Sequence, residues 1–150
     1  MGPSNSYSQF TSPIRNGDRA SFDVHIYYDR NNDHEVKAMN SIRQTIKDQF
    51  PELALYPIHD KPVGPHPQPM FEVDLFTPAQ FGAFIPWLAI NHGPLSVLIH
   101  PNTGNSRRDH TKNAMWMGHK LDLRLDVFDK EAEMDEVARR LEDVLGENTS

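Results

Sequence analysis

Residues 22–28, Phe22-Asp23-Val24-His25-Ile26-Tyr27-Tyr28, alternate apolar and polar side chains with period two, so a strand here must bury Phe22, Val24, Ile26 and Tyr28 on one face and turn Asp23, His25 and Tyr27 to the other. The alternation returns at Met70-Phe71-Glu72-Val73-Asp74-Leu75-Phe76 and in the short run Leu95-Ser96-Val97-Leu98-Ile99-His100, which stops at Pro101. Between these strands the periodicity changes. Val36, Met39, Ile42, Ile46 and Phe50 recur at three and four residues, the spacing of an amphipathic helix over residues 33–50 that Pro51 ends. Thr77 as N-cap, Pro78 in the first turn and Gly93 beyond the end bracket a second helix to Asn91. Leu53 to His59 reads as a short strand, and the prolines at 62, 65, 67 and 69 make the segment before residue 70 a rigid loop.

The order β-α-β-β-α-β predicts an α+β domain of ferredoxin-like type, an antiparallel sheet with helices on one face and the other face left open. Residues 1–20, rich in Ser, Asn, Gly, Pro and Arg without periodicity, read as a flexible leader. The domain spans 21–128. Leu121 to Val127 alternates as a further edge strand, and an acidic-start helix over 129–150 carries Met134, Val137, Leu141 and Leu145 on one side, against the domain or a partner subunit.

Composition narrows the chemistry. A chain of 150 residues fits one core. Without cysteine it has neither disulfide nor thiolate ligand, which suits a reducing cytoplasm and leaves imidazole and carboxylate to hold any metal. A formal net charge of -6 and no cluster of Lys and Arg exclude a nucleic-acid surface. No apolar run approaches the ~20 residues of a membrane span, and the first twenty residues lack a signal peptide's apolar stretch. The expected partner is a small molecule.

The eight histidines fall in the middle and late parts of the chain. If Val24 and Ile99 face the helices, His25 and His100 share the open face, with Glu72 on the neighbouring strand. That set, two histidines and one carboxylate, is the ligand type that leaves open positions on Fe(II). A lone strand histidine is more often a packed or surface residue; the combination is what points to metal. His66 sits in the proline-clamped loop as a ligand or as part of a plain rigid turn, with His59 a weaker candidate beside it. Past His100, the stretch Arg107-Arg108-Asp109-His110 could hold an anionic oxygen or move a proton, or form an ordinary solvated loop. His34, His92 and His119 read as surface residues.

Several separated motifs, in order, resemble the DOPA 4,5-dioxygenase family: Phe22-Asp23-Val24-His25-Ile26-Tyr27-Tyr28-Asp29, Pro62-Val63-Gly64-Pro65-His66-Pro67, Pro86-Trp87, Leu95 through Gly104, Asp109-His110-Thr111 and Ala114-Met115-Trp116-Met117-Gly118. The resemblance spans about residues 21–128. It implies a ferredoxin-like subunit, commonly a homodimer, that uses Fe(II) and molecular oxygen to cleave a catechol ring beside its hydroxyls. It marks His25, His66, His100 and His110 and leaves open which three hold metal. On that basis His25, His66 and His100 are the expected ligands and His110 the acid/base, with Arg107, Arg108 or Lys61 for a substrate carboxylate. A zinc hydrolase would use the same imidazoles, and a non-catalytic dimeric binding module would hold no metal.

Overall fold

The computed structural model describes residues 2–15 and 19–147. In chain order its elements are β1 (Phe22–Tyr27), α1 (Asp33–Gln49), β2 (Ala54–Leu55), β3 (Met70–Leu75), α2 (Pro78–Asn91), β4 (Ser96–Pro101), α3 (Ser106–Asp109), β5 (Met115–Met117) and α4 (Asp126–Glu147), after a single 3-10 turn at Asn5–Tyr7. The five strands form one antiparallel sheet in the order β2-β3-β1-β4-β5. The ferredoxin-like α+β arrangement is thus present, widened by β5 at one edge.

Side chains cap the N-termini of α1 and α2, the second at the Thr77 that the sequence marks. The Asn32 side chain accepts from the Glu35 N–H at the head of α1, and Thr77 accepts from the Gln80 N–H at the head of α2, where Pro78 has no donor to lose. Period-two burial then sets the layers. Phe22, Val24 and Ile26 of β1 meet Phe71, Val73 and Leu75 of β3 and Val97 and Ile99 of β4, and Met39, Ile46, Phe84 and Leu88 of the two helices close over them. Each such side chain removed from water contributes about 1.5–3 kcal/mol, which fixes the register and therefore the identity of every residue on the opposite face.

That opposite face is not left wholly open, as the element order alone suggests. Tyr27, Met70 and Leu98 form a second small cluster, covered by Ala114, Trp116, Leu121 and Leu123, with Trp116 stacked on Tyr27 at 6.0 Å between centroids. The other end carries Asp23, His25, Glu72 and His100, which line a cavity, and the buried Asp74. The edge strand expected at 121–127 is absent: β5 at Met115–Met117 pairs with β4 instead. Leu121 and Leu123 use their two-residue spacing to pack on the second cluster from irregular backbone, and the Arg124 N–H bonds to the Pro65 carbonyl rather than to a strand. Gly118 lets the chain turn after β5, at φ +69, where a Cβ would press on the Leu95 carbonyl at 2.9 Å. The second strand, expected over 53–59, shrinks to Ala54–Leu55, and His59 joins the sheet only through an isolated bridge to Met70.

The leader touches the core: the Phe10 ring lies 5.3 Å from Phe22 and 6.2 Å from Phe81, and Ile14 packs on the same cluster. α4 begins at Asp126, three residues before its expected start, and seats Phe128, which is buried, over the His110 ring at 4.8 Å. Among the described residues no helix is long and apolar enough to cross a membrane.

Candidate metal centre

Four imidazoles from four stretches of chain meet at the uncovered end of the sheet. His25 comes from the middle of β1, His100 from β4, His66 from the proline-rich loop before β3 and His110 from the end of α3. Ring centroids of His25 lie 4.1 Å from His66 and 5.2 Å from His100, and His100 lies 3.9 Å from His110. They line a cavity of about 600 Å³ together with Asp23 and Glu72.

Hydrogen bonds fix which nitrogen of His100 and of His110 carries the proton. His100 Nδ1 stands 3.0 Å from the Pro101 carbonyl and His110 Nδ1 2.7 Å from the Ser106 carbonyl. A carbonyl only accepts, so both Nδ1 atoms carry the proton and both Nε2 atoms present a lone pair. His66 Nδ1 lies 2.6 Å from the Tyr27 hydroxyl, which can donate or accept and so leaves either tautomer open to His66.

His25 is the constrained ring. Its Nε2 is 3.1 Å from His100 Nε2, whose lone pair it faces, while its buried Nδ1 makes no hydrogen bond and lies 3.5 Å from the Glu72 carboxyl. A cation between the two Nε2 atoms resolves both features. Nitrogen ligands at about 2.1 Å and at right angles stand about 3.0 Å apart, and His25 would then carry its proton on Nδ1, facing Glu72, as ligating histidines face outer carboxylates. The donor set therefore fits a divalent metal.

Two groups of three ligand atoms fall within 4.8 Å of one another around His25: His25 with His66 and His110, and His25 with His100 and Asp23. The expected trio of His25, His66 and His100 is divided between them. Asp23, which the sequence reading passed over, faces His100 across the β1–β4 ladder, with Oδ2 3.7 Å from His100 Nε2. The Asn102 amide donates to its other oxygen, Oδ1, at 2.9 Å, and so holds Oδ2 toward the imidazole. Period two would have found it, because Asp23 precedes His25 by two on the same face. Glu72, the carboxylate chosen from the sequence, lies on the Nδ1 side of His25, away from the convergence of Nε2 atoms.

The other candidates are farther out. His59 is exposed, Arg107 forms an ion pair with Asp129 at 2.8 Å, and neither Arg107, Arg108 nor Lys61 lines the cavity. Its cationic lining comes from Arg15 and Arg19 of the leader. The Arg15 main chain bonds to Asn102 and to Ser21, and its guanidinium lies against Gly104, where any Cβ would collide with it.

Burial, and then the neighbouring imidazoles, push His66 down to about 3 and His100 to about 4, and hold His25 well below its ordinary value. All three are neutral at pH 7, as metal ligands must be. Burial raises Glu72 to about 9 and Asp23 to about 7 instead, so at pH 7 the His25–Glu72 contact joins neutral groups when no cation is bound, and Asp23 is part-protonated.

The two shifts act on stability with opposite sign. Below about pH 6.5 the unfolded histidines bind protons that the folded ones refuse, so stability is lost as pH falls toward their folded values. The carboxyls hold protons in the fold that the unfolded chain releases, so their contribution is lost as pH rises through their raised values. Scanning calorimetry of the metal-free protein should give a highest Tm between about pH 5 and 7 and a decline on both sides. A Tm still climbing at pH 9 would contradict the carboxyl shifts.

Comparison with known proteins agrees with this architecture. The family model described as the Dopa 4,5-dioxygenase family matches residues 22–127. An uncharacterised 21.2 kDa protein of Botryotinia fuckeliana is 50% identical over 131 residues, covering 83% of this chain and 72% of its own length. A DOPA 4,5-dioxygenase of Amanita muscaria is 32% identical over 107 residues, which cover 67% of this chain and 46% of that protein, so the chain spans just under half of that relative. Among solved structures, a candidate dioxygenase from Nostoc punctiforme superposes with a TM-score of 0.67 at 34% identity, covering 75% of this chain and 93% of that one.

Proposed function

The chain belongs to the Dopa 4,5-dioxygenase family, and from that premise we propose that it is a non-haem Fe(II) dioxygenase that opens the ring of a catechol with molecular oxygen. The observation that supports this best is the 3.1 Å approach of His25 and His100 through their Nε2 atoms, with Asp23 alongside. Two histidines and one carboxylate on one side of a metal are the set that oxygen-activating Fe(II) uses. Ferrous iron held there would let both catechol oxygens and dioxygen bind side by side. Both oxygen atoms enter the product, so no external reductant is needed.

The remaining groups handle protons. His110, with Nδ1 pinned to Ser106, offers the Nε2 lone pair to a catechol hydroxyl and returns that proton later. His66 and Tyr27 form a hydrogen-bonded pair whose tautomer is free to change, which suits passing a proton without changing charge. Phe128 and the cluster around Trp116 keep water from the far side of the site.

Arg15 and Arg19, rather than Arg107 and Arg108, are placed to receive a carboxylate on the substrate. A charge-assisted hydrogen bond is worth about 1.5–3 kcal/mol, so the double change Arg15→Ala with Arg19→Ala should raise KM for a carboxylate-bearing catechol roughly 10–100-fold. KM for catechol itself should stay within about twofold, and equal effects on both substrates would remove the arginines from substrate binding.

The homodimer belongs to the same reading. Met134, Val137, Leu141 and Val144 recur at three and four residues along α4 and are 55–72% exposed, a stripe suited to a second copy. Sedimentation should show a dimer that Leu141→Glu converts to monomer; a monomeric wild-type chain would refute this part.

The activity is tested by supplying Fe(II) and a catechol under air. One equivalent of oxygen should be consumed per catechol as a yellow ring-opened product appears. Tight zinc binding with no oxygen uptake from any catechol would favour a hydrolase instead.

A further inference from the structure

Beside the histidine centre, and sharing Asp23 with it, lies a second group of donors. Asp23 of β1 and Asp74 of β3 are directly opposite in the ladder, and Glu72 lies one rung along on the same face. One oxygen of each falls within 4.8 Å of the other two. Acids directly opposite across a ladder destabilise a sheet, and apolar residues at these positions would be cheaper. Two buried groups here leave a polar atom without a partner. Asp74 is only 8% exposed, and its Oδ1 has no hydrogen-bond partner. His25, 3% exposed, aims an unpartnered Nδ1 at Glu72. Among the described residues no lysine or arginine forms an ion pair with any of the three carboxyls.

We propose that Asp23, Glu72 and Asp74 form a second cation site for a hard divalent ion, sharing Asp23 with the histidine centre. The donor chemistry selects the ion class. Carboxylate oxygens without nitrogen favour Mg²⁺, Mn²⁺ or Ca²⁺, whereas the imidazoles on the other side of Asp23 favour a transition metal. Asp23 belongs to both groups of ligand atoms, so it is placed to bridge two ions, as a carboxylate does where paired metals sit about 3.5–4 Å apart. The bound ion would satisfy the Asp74 oxygen. Glu72, ionised by the cation, would then accept from His25 Nδ1 and fix the tautomer that leaves Nε2 for the first metal. The inference rests on the proposed metal centre only through Asp23.

Titration of the full-length, metal-free protein with Mn(II), followed by calorimetry and elemental analysis, tests it. Two equivalents should bind. Asp74→Asn and, separately, Glu72→Gln should each abolish one equivalent and keep the other, while His100→Ala should lose the opposite equivalent and keep the carboxylate one. Circular dichroism of each metal-free variant controls for folding, and Glu72→Gln serves if Asp74→Asn does not fold. Binding of a single equivalent that both carboxyl variants retain would overturn the second site and leave the histidine centre standing. Loss of binding only in His100→Ala would do the same.

Discussion

Changing His100 to alanine is expected to remove metal and activity together, and to do so without unfolding the sheet. His100 is buried at 2% exposure, but its Nε2 serves only the approach to His25 and Asp23, and its Nδ1 reaches a carbonyl at the strand end rather than a core group. The apolar layer that holds β4 in register is carried by Val97 and Ile99 on the opposite face and is untouched. Loss of an outer partner of a metal ligand costs about 10–100-fold in affinity or activity, and loss of the ligand itself should exceed that, to below about one thousandth of wild-type turnover. Iron per chain, measured after dialysis, should fall with it. His34→Ala, an exposed change on α1, should leave both unaltered. A His100→Ala protein that keeps a full equivalent of iron and turns over would place the metal elsewhere.

His110→Ala should separate what His100→Ala joins. If His110 serves as base, the metal stays near one equivalent while kcat falls about 10²–10⁴-fold, the range that positioned acid/base groups contribute. The small residual activity should rise with pH, because hydroxide then replaces the missing base. A different result carries a different meaning: His110 also lies within ligand distance of His25 and His66. If iron is lost with His110, those three imidazoles are the ligands and His100 with Asp23 is not the metal side.

What the sequence foretold follows from periodicity. Once Val24 and Val97 had to face the helices, His25, Glu72 and His100 had to share the other face, and the ladder pairs His25 with Glu72 and Asp23 with His100 as that requires. Period two does not say which end of an imidazole points where. Glu72 and Asp23 both sit beside a histidine, yet only the ring nitrogen each one faces, Nδ1 of His25 or Nε2 of His100, distinguishes the outer carboxylate from the one on the Nε2 side. The arginines illustrate a different limit. Arg107 and Arg108 adjoin His110 in sequence, but α3 turns Arg107 outward to Asp129, while Arg15 arrives from the leader through a contact with Asn102, 87 positions away. Such a return is long-range packing, with no local pattern to announce it. The alternation at 121–127 failed for a related reason, because two leucines spaced for a strand also suit a coil lying over Tyr27 and Leu98.

The most direct measurement is an anomalous-scattering map, at the iron edge, of crystals grown anaerobically with Fe(II). The prediction is one iron peak at about 2.0–2.3 Å from Nε2 of both His25 and His100, with Asp23 Oδ2 completing the set and His110 close by but free of the metal. An iron peak bound through neither His25 nor His100, or no peak at all from protein that consumes oxygen with a catechol, would contradict it.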